Sequence, residues 1–109
     1  MAFEILASLD ELPPGNLIEI VRGSDLYALC NVEGEIRALS GTCPHQGGPL
    51  GQGALNGGFI TCPWHAWEFD SSTGACLFNE EIRVPTYSVR VDSGEILVDL
   101  PEVNRAGHA

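Results

Sequence analysis

The chain has 109 residues and a mass of 11.7 kDa, the size of one domain and too little for two cores. A content of 44% hydrophobic and 18% charged residues marks a folded chain rather than a disordered one. Acidic residues outnumber basic ones 15 to 5, and the net charge of −10 excludes sequence-independent binding to nucleic acid or to an anionic membrane surface.

Thirteen glycines and seven prolines without a repeating period call for many turns and short strands. No run approaches the roughly 20 apolar residues that span a bilayer. The opening MAFEILASLDELPPG has no basic region followed by an apolar stretch, so a cytoplasmic protein is expected. In that reducing compartment its four cysteines are metal ligands or core residues rather than disulfides.

In chain order, Phe3 to Ala7 reads as a strand, followed by at most one helical turn over Ser8 to Leu12. There Ser8 can cap and Glu11 lies three residues on, before Pro13-Pro14-Gly15 stops the helix. Leu17 to Arg22, Leu26 to Asn31 and Ile36 to Ser40 are strands punctuated by turns at Gly23-Ser24-Asp25 and Glu33-Gly34. Tyr87 to Val91 alternates and turns through Asp92-Ser93-Gly94 into Glu95 to Leu100, a hairpin with one buried face. The expected fold class is all-β. Cys30 and Cys76 sit in apolar contexts and read as buried, inert thiols. His108 lies in a patternless tail, 101–109, expected to fray.

Between these β-rich flanks, Gly41 to Gly58 carries seven glycines, a density that marks tight turning or close approach of backbone. Cys43-Pro44-His45 lies at its start, and Cys62-Pro63-Trp64-His65 follows its end. Each segment pairs a thiol with an imidazole, and two hairpin tips side by side would offer four metal ligands: Cys43, His45, Cys62 and His65. A structural zinc set has the same composition, although zinc usually draws two cysteines from one knuckle and two histidines from another. One cysteine and one histidine per tip suits a two-iron centre. There, neutral imidazoles in place of thiolates lower the negative charge and make an electron easier to accept.

CPHQGGPL followed by CPWHAWEFDSSTG resembles the Rieske iron–sulfur motif, C-x-H, a spacer, then C-x-x-H. The IRVPTYSVRV and EILVDL segments resemble the family's base domain, so the likeness runs to about residue 100. It implies an antiparallel β sandwich or barrel-like base (residues 1–39 and about 70–100) with a small inserted cluster-binding subdomain (about 40–69). It also implies one [2Fe–2S] cluster, with Cys43 and Cys62 on the inner iron and His45 and His65 on the outer one.

Members from cytochrome bc-type complexes carry a disulfide between the loops; the matching positions here are Gly48 and Trp64. The places where those members put hydroxyls near sulfur hold Trp67 and Phe69. Ala66 stands where glycine is common, and Phe78 to Glu81 lacks the proline often found in the loop over the cluster.

The resemblance is to the ferredoxins of bacterial ring-hydroxylating oxygenases. It implies a soluble one-electron carrier that serves aromatic hydrocarbon catabolism and is not itself a catalyst. Its partners are an NAD(P)H-dependent flavoprotein reductase and a terminal oxygenase with its own Rieske and mononuclear iron centres. Pro44, Gln46, Pro49, Leu50 and Trp64 are expected to form the docking surface while Trp67 packs inward, and the acidic surplus is expected to steer partners. The alternatives are a small Rieske-like subunit of a nitrite reductase and a zinc-binding structural or interaction module.

Overall fold

The structure, a computed structural model, describes residues 2–44, 47–64 and 66–101. Among the described residues twelve strands follow one another: β1 (Ala2–Ser8), β2 (Leu17–Arg22), β3 (Asp25–Val32), β4 (Glu35–Ser40), β5 (Ala54–Asn56), β6 (Phe59–Thr61), β7 (Glu68–Asp70), β8 (Ala75–Cys76), β9 (Asn79–Arg83), β10 (Thr86–Tyr87), β11 (Val89–Asp92) and β12 (Glu95–Leu100). They form three antiparallel sheets, ordered β1-β12-β11, β10-β4-β3-β2 and β5-β6-β7-β8-β9. Helix among the described residues is limited to 3-10 turns at Leu9–Glu11 and Leu50–Gln52. Among the described residues no helix is long and apolar enough to cross a membrane.

The first 3-10 turn has the cap that its sequence predicts. Asp10 N–H donates to the Ser8 hydroxyl at 3.3 Å, and Glu11 Oε1 accepts from Ser8 N–H at 3.1 Å, so each satisfies an otherwise unpaired amide. The hairpin turns also fall where turn chemistry puts them. Glu33-Gly34 and Ser93-Gly94 adopt the paired positive φ values, 55° and 100°, then 54° and 79°, that match the twist of their strands.

The middle sheet buries both faces, which explains the unbroken apolar run in β3. Tyr27 and Leu29 point with Ala38 into a core shared with Ile96, Val98 and Leu100 of β12. On the opposite face Cys30 and Leu39 join a second core with Ile60, Phe69, Cys76 and Val84, and this core also holds Cys43 and Cys62. The middle and third sheets are further tied by Arg37 Nη1, which donates to Ser71 Oγ at 2.8 Å, while that hydroxyl donates to Gly58 O at 2.6 Å. Burial pushes the Cys30 thiol above its ordinary range, against the Ser71 hydroxyl and the Arg37 charge that partly offset it.

Two features depart from the sequence pattern. The alternating run from Tyr87 to Val91 is one strand by sequence, but it changes sheets at Ser88. Tyr87 pairs with Ala38 of β4, and Val89 pairs with Val98 of β12. Because β11 lies at the edge of its sheet, Val91 stays exposed, and the hairpin's buried face belongs to Ile96, Val98 and Leu100. The third sheet also runs past Phe69, through β8 and β9, to Arg83. The reversal is closed by Gly74 N–H on Asp70 O at 2.7 Å and by Val84 N–H on Gly74 O at 2.9 Å.

Candidate metal centre

Two loops built alike carry the cysteines. Cys43 N–H donates to Gly48 O at 2.8 Å, and Cys62 N–H donates to Trp67 O at 2.7 Å, so each cysteine closes its own loop with a bond to the residue five positions on. The first loop is anchored by Gly41 N–H on Leu26 O, Leu50 N–H on Gly41 O and a bridge between Thr42 and Pro49. The second leaves β6 and enters β7. With their amides committed to the backbone, the two side chains are free to turn into the core.

That arrangement brings Cys43 and Cys62 together. Both are about 1% exposed, and the Cys43 thiol lies within hydrogen-bonding reach of Cys62. Burial and the neighbouring Cys43 push the Cys62 thiol up, and the Trp64 amide, 3.4 Å from Cys62 Sγ, acts in the opposite direction. Two adjacent buried thiols with an N–H aimed at one sulfur form an unfavourable place for anions by themselves and a favourable one once a cation binds them. Gly48 is pressed against this sulfur: a Cβ there would lie 2.9 Å from Cys62 Sγ and 3.0 Å from the Trp64 ring. The expected correspondence of positions 48 and 64 is therefore a physical contact.

His45, His65 and Gln46 lie outside the described residues. Of the expected docking residues, Pro44 is exposed, Trp64 is 47% exposed and Pro49 is half-buried. Leu50 requires correction. It is fully buried in the core that holds both cysteines, because the 3-10 turn it opens directs its side chain beneath the first loop. Trp67 packs inward as expected, against that core and edge-on to Phe78, with ring centroids 4.7 Å apart. Phe69 is fully buried, and Cys30 and Cys76 are buried and unbridged. Phe78, which the sequence marks only as the start of the loop that lacks a proline, and Leu77 before it are not among the expected docking residues, yet they are 64% and 49% exposed between β8 and β9. Two large apolar residues between consecutive short strands, where turn residues are usual, are the signal that marks them.

A family model described as the Rieske [2Fe-2S] domain matches residues 3–88. The chain belongs to this family. Its cofactor is accordingly a [2Fe–2S] cluster rather than zinc, and the described half of the donor set, two buried thiols from two loops, fits such a group. Among curated Rieske relatives, the ferredoxin component of the naphthalene 1,2-dioxygenase system of Pseudomonas aeruginosa is 36% identical over 95 residues, covering 85% of this chain and 90% of its own. The ferredoxin component of biphenyl 2,3-dioxygenase from Rhodococcus jostii (strain RHA1) is 31% identical, covering 92% and 94%. Among solved structures, the ferredoxin of carbazole 1,9a-dioxygenase from Nocardioides aromaticivorans IC177 superposes with a TM-score of 0.82 at 30% identity, covering 93% of this chain and all of the other. A nitrite reductase small subunit from Mycobacterium tuberculosis shares the fold, with a TM-score of 0.81 at 24% identity.

Proposed function

We propose that this Rieske protein is a one-electron carrier that accepts an electron from an NAD(P)H-dependent flavoprotein reductase and delivers it to a terminal ring-hydroxylating oxygenase in the cytoplasm. The observation that carries the reading is the meeting of two buried thiols beneath two loops at one end of a small β domain. It is supported by relatives that are ferredoxin components of dioxygenase systems over nearly their whole length. When bound, the cluster supplies reversible one-electron chemistry.

In this reading Cys43 and Cys62 hold the inner iron, and His45 and His65 hold the outer one. The Trp64 amide stabilises charge on the Cys62 sulfur, and the core around both cysteines excludes water from that side. Exposed Pro44 and Trp64, with Gln46 and half-buried Pro49, form the docking surface. The cluster-holding unit is the segment from about Ser40 through the third sheet, and the base is the remaining two sheets.

The test is direct. The anaerobically purified chain is expected to contain two irons and two sulfides, and to give a dithionite-reduced EPR signal with an average g below that of all-cysteine clusters. It should also couple NADH oxidation by a reductase to an oxygenase from a naphthalene or biphenyl system. One zinc without sulfide, or a stable large subunit in place of a transient oxygenase partner, would overturn the assignment.

A further inference from the structure

From Ala38 to Trp67 the chain contains no Asp, Glu, Lys or Arg, although it carries 15 acidic residues elsewhere. Both ligand loops fall within this uncharged stretch. The turn between β8 and β9 continues it in space. Phe78 lies edge-on to Trp67, whose carbonyl accepts the Cys62 amide, and Leu77 N–H donates to Glu68 O at 2.8 Å. Across the second loop, the Gly48 backbone packs on the Trp64 ring. The second loop and the turn that packs on it through Trp67 therefore present Trp64, Leu77 and Phe78, 47%, 49% and 64% exposed. Charged residues begin at their margin: the acidic Glu68, Glu80 and Glu81, and Arg83, whose Nε–H donates to Glu80 O at 3.1 Å.

Exposed apolar side chains grouped together mark a contact surface, and aromatic anchors dominate the energetics of such surfaces. We propose that the Leu77–Phe78 tip is the principal anchor for the terminal oxygenase, seating in an apolar recess whose rim is basic. This inference rests on the carrier reading above. The charge pattern selects the occupant: a second copy of this chain would set acidic margin against acidic margin between molecules of net charge −10. The apolar tip sets the lifetime of the complex, and the acidic margin sets the rate of encounter.

The test uses the cluster-loaded chain and whichever oxygenase of the naphthalene or biphenyl systems it reduces. Phe78→Ala is expected to weaken binding to that oxygenase by about tenfold or more through faster dissociation. Phe78→Leu should recover part of the loss. Leu77→Ser should weaken binding in the same way, and Ile5→Ala, at a half-exposed residue of β1, should leave it unchanged. Added salt should slow association and change dissociation little. The EPR signal and reduction potential of Phe78→Ala should match the parent, which separates loss of contact from damage to the centre.

If the parent reduces one of these oxygenases and Phe78→Ala and Leu77→Ser still bind it normally, the anchor assignment falls while the carrier reading stands. A shifted potential with unchanged binding would also overturn the anchor, as would loss of reductase binding alone. Self-association of the parent that both variants abolish would replace the oxygenase with a second copy. If the parent passes electrons to none of the oxygenases, the carrier reading fails and the anchor fails with it.

Discussion

Gly48→Ala tests the packing on which the site depends. The added methyl would sit 2.9 Å from Cys62 Sγ, closer than real Cβ contacts come, and 3.0 Å from Cγ and Cδ2 of Trp64, tighter than most, so something must move. The indole is half-exposed and can swing outward. The sulfur cannot, because Cys62 is 1% exposed with the core behind it and Cys43 beside it. Gly48 does not occupy the left-handed region, so the penalty is contact alone. Overpacking by one methyl costs about 1–3 kcal/mol. At about 4–8 °C per kcal/mol for a domain near this size, the melting temperature should fall by roughly 5–20 °C.

Gly58→Ala is the matched control. Its methyl would meet Arg37 Nη1 at an ordinary 3.5 Å, and the smaller entropy of the unfolded chain should leave the melt equal or higher. Both variants are melted at one scan rate by far-UV circular dichroism, with visible absorbance reporting the cluster. A Gly48→Ala melt within about 2 °C of the parent, with an unchanged visible spectrum, would refute the contact argument.

Three further outcomes are expected. Ala66 has φ 58°, a left-handed conformation that costs an L-residue about 1 kcal/mol, so Ala66→Gly should raise the melting temperature by a few degrees after the entropic offset. Cys43→Ser and Cys62→Ser should each lose the iron and sulfide measured after purification, and Cys30→Ala and Cys76→Ala should keep both while unfolding at lower urea. The Ser72 hydroxyl and amide hold the Asp70 carboxyl below its usual 3.8, so their stabilisation is complete above that value and disappears as pH falls through the lower folded value. Ser72→Ala should therefore unfold more readily than the parent near neutral pH, with the difference in urea midpoint closing in acid.

Much of the base was legible because its signals are local. The Ser8 and Glu11 cap, the Glu33-Gly34 and Ser93-Gly94 turns, and the strands Leu17–Arg22 and Glu95–Leu100 are set by residue chemistry within a few positions. The sheet change at Ser88 is not local: alternation continues through it, and only the partners on either side differ. The two-residue strand β8 is too short to show a period. At the site, the spacing of the Cys/His pairs singled out Cys43 and Cys62, because metal chemistry constrains donors more tightly than packing constrains neighbours. Leu50 was misplaced for the opposite reason. A leucine following Pro49 in a glycine-rich stretch has no periodicity to tell inside from outside, and its burial is decided by the core it shares with Ile60 and the cysteines. The sequence marks Phe78 only as the start of a loop that lacks its usual proline; its exposure and that of Leu77 are not legible, because exposed apolar residues violate the pattern by which buried ones are found.

The geometry of the cysteine loops is carried by backbone bonds: Cys43 to Gly48, Cys62 to Trp67, and Gly41 to Leu26 and Leu50. No Asp, Glu, Lys or Arg lies between Ala38 and Trp67, so the response to ionic strength falls to the acidic margin. Contact falls to a third set of residues, at the tip between β8 and β9, joined to the second loop through Trp67. With cluster support, steering and adhesion on separate groups, a change at Leu77 or Phe78 can alter partner affinity without moving a thiol. A change at Gly48 cannot, because its neighbour is the ligand sulfur itself. Partner choice in this chain is therefore free to diverge at the hairpin tip while the centre that carries the electron stays fixed.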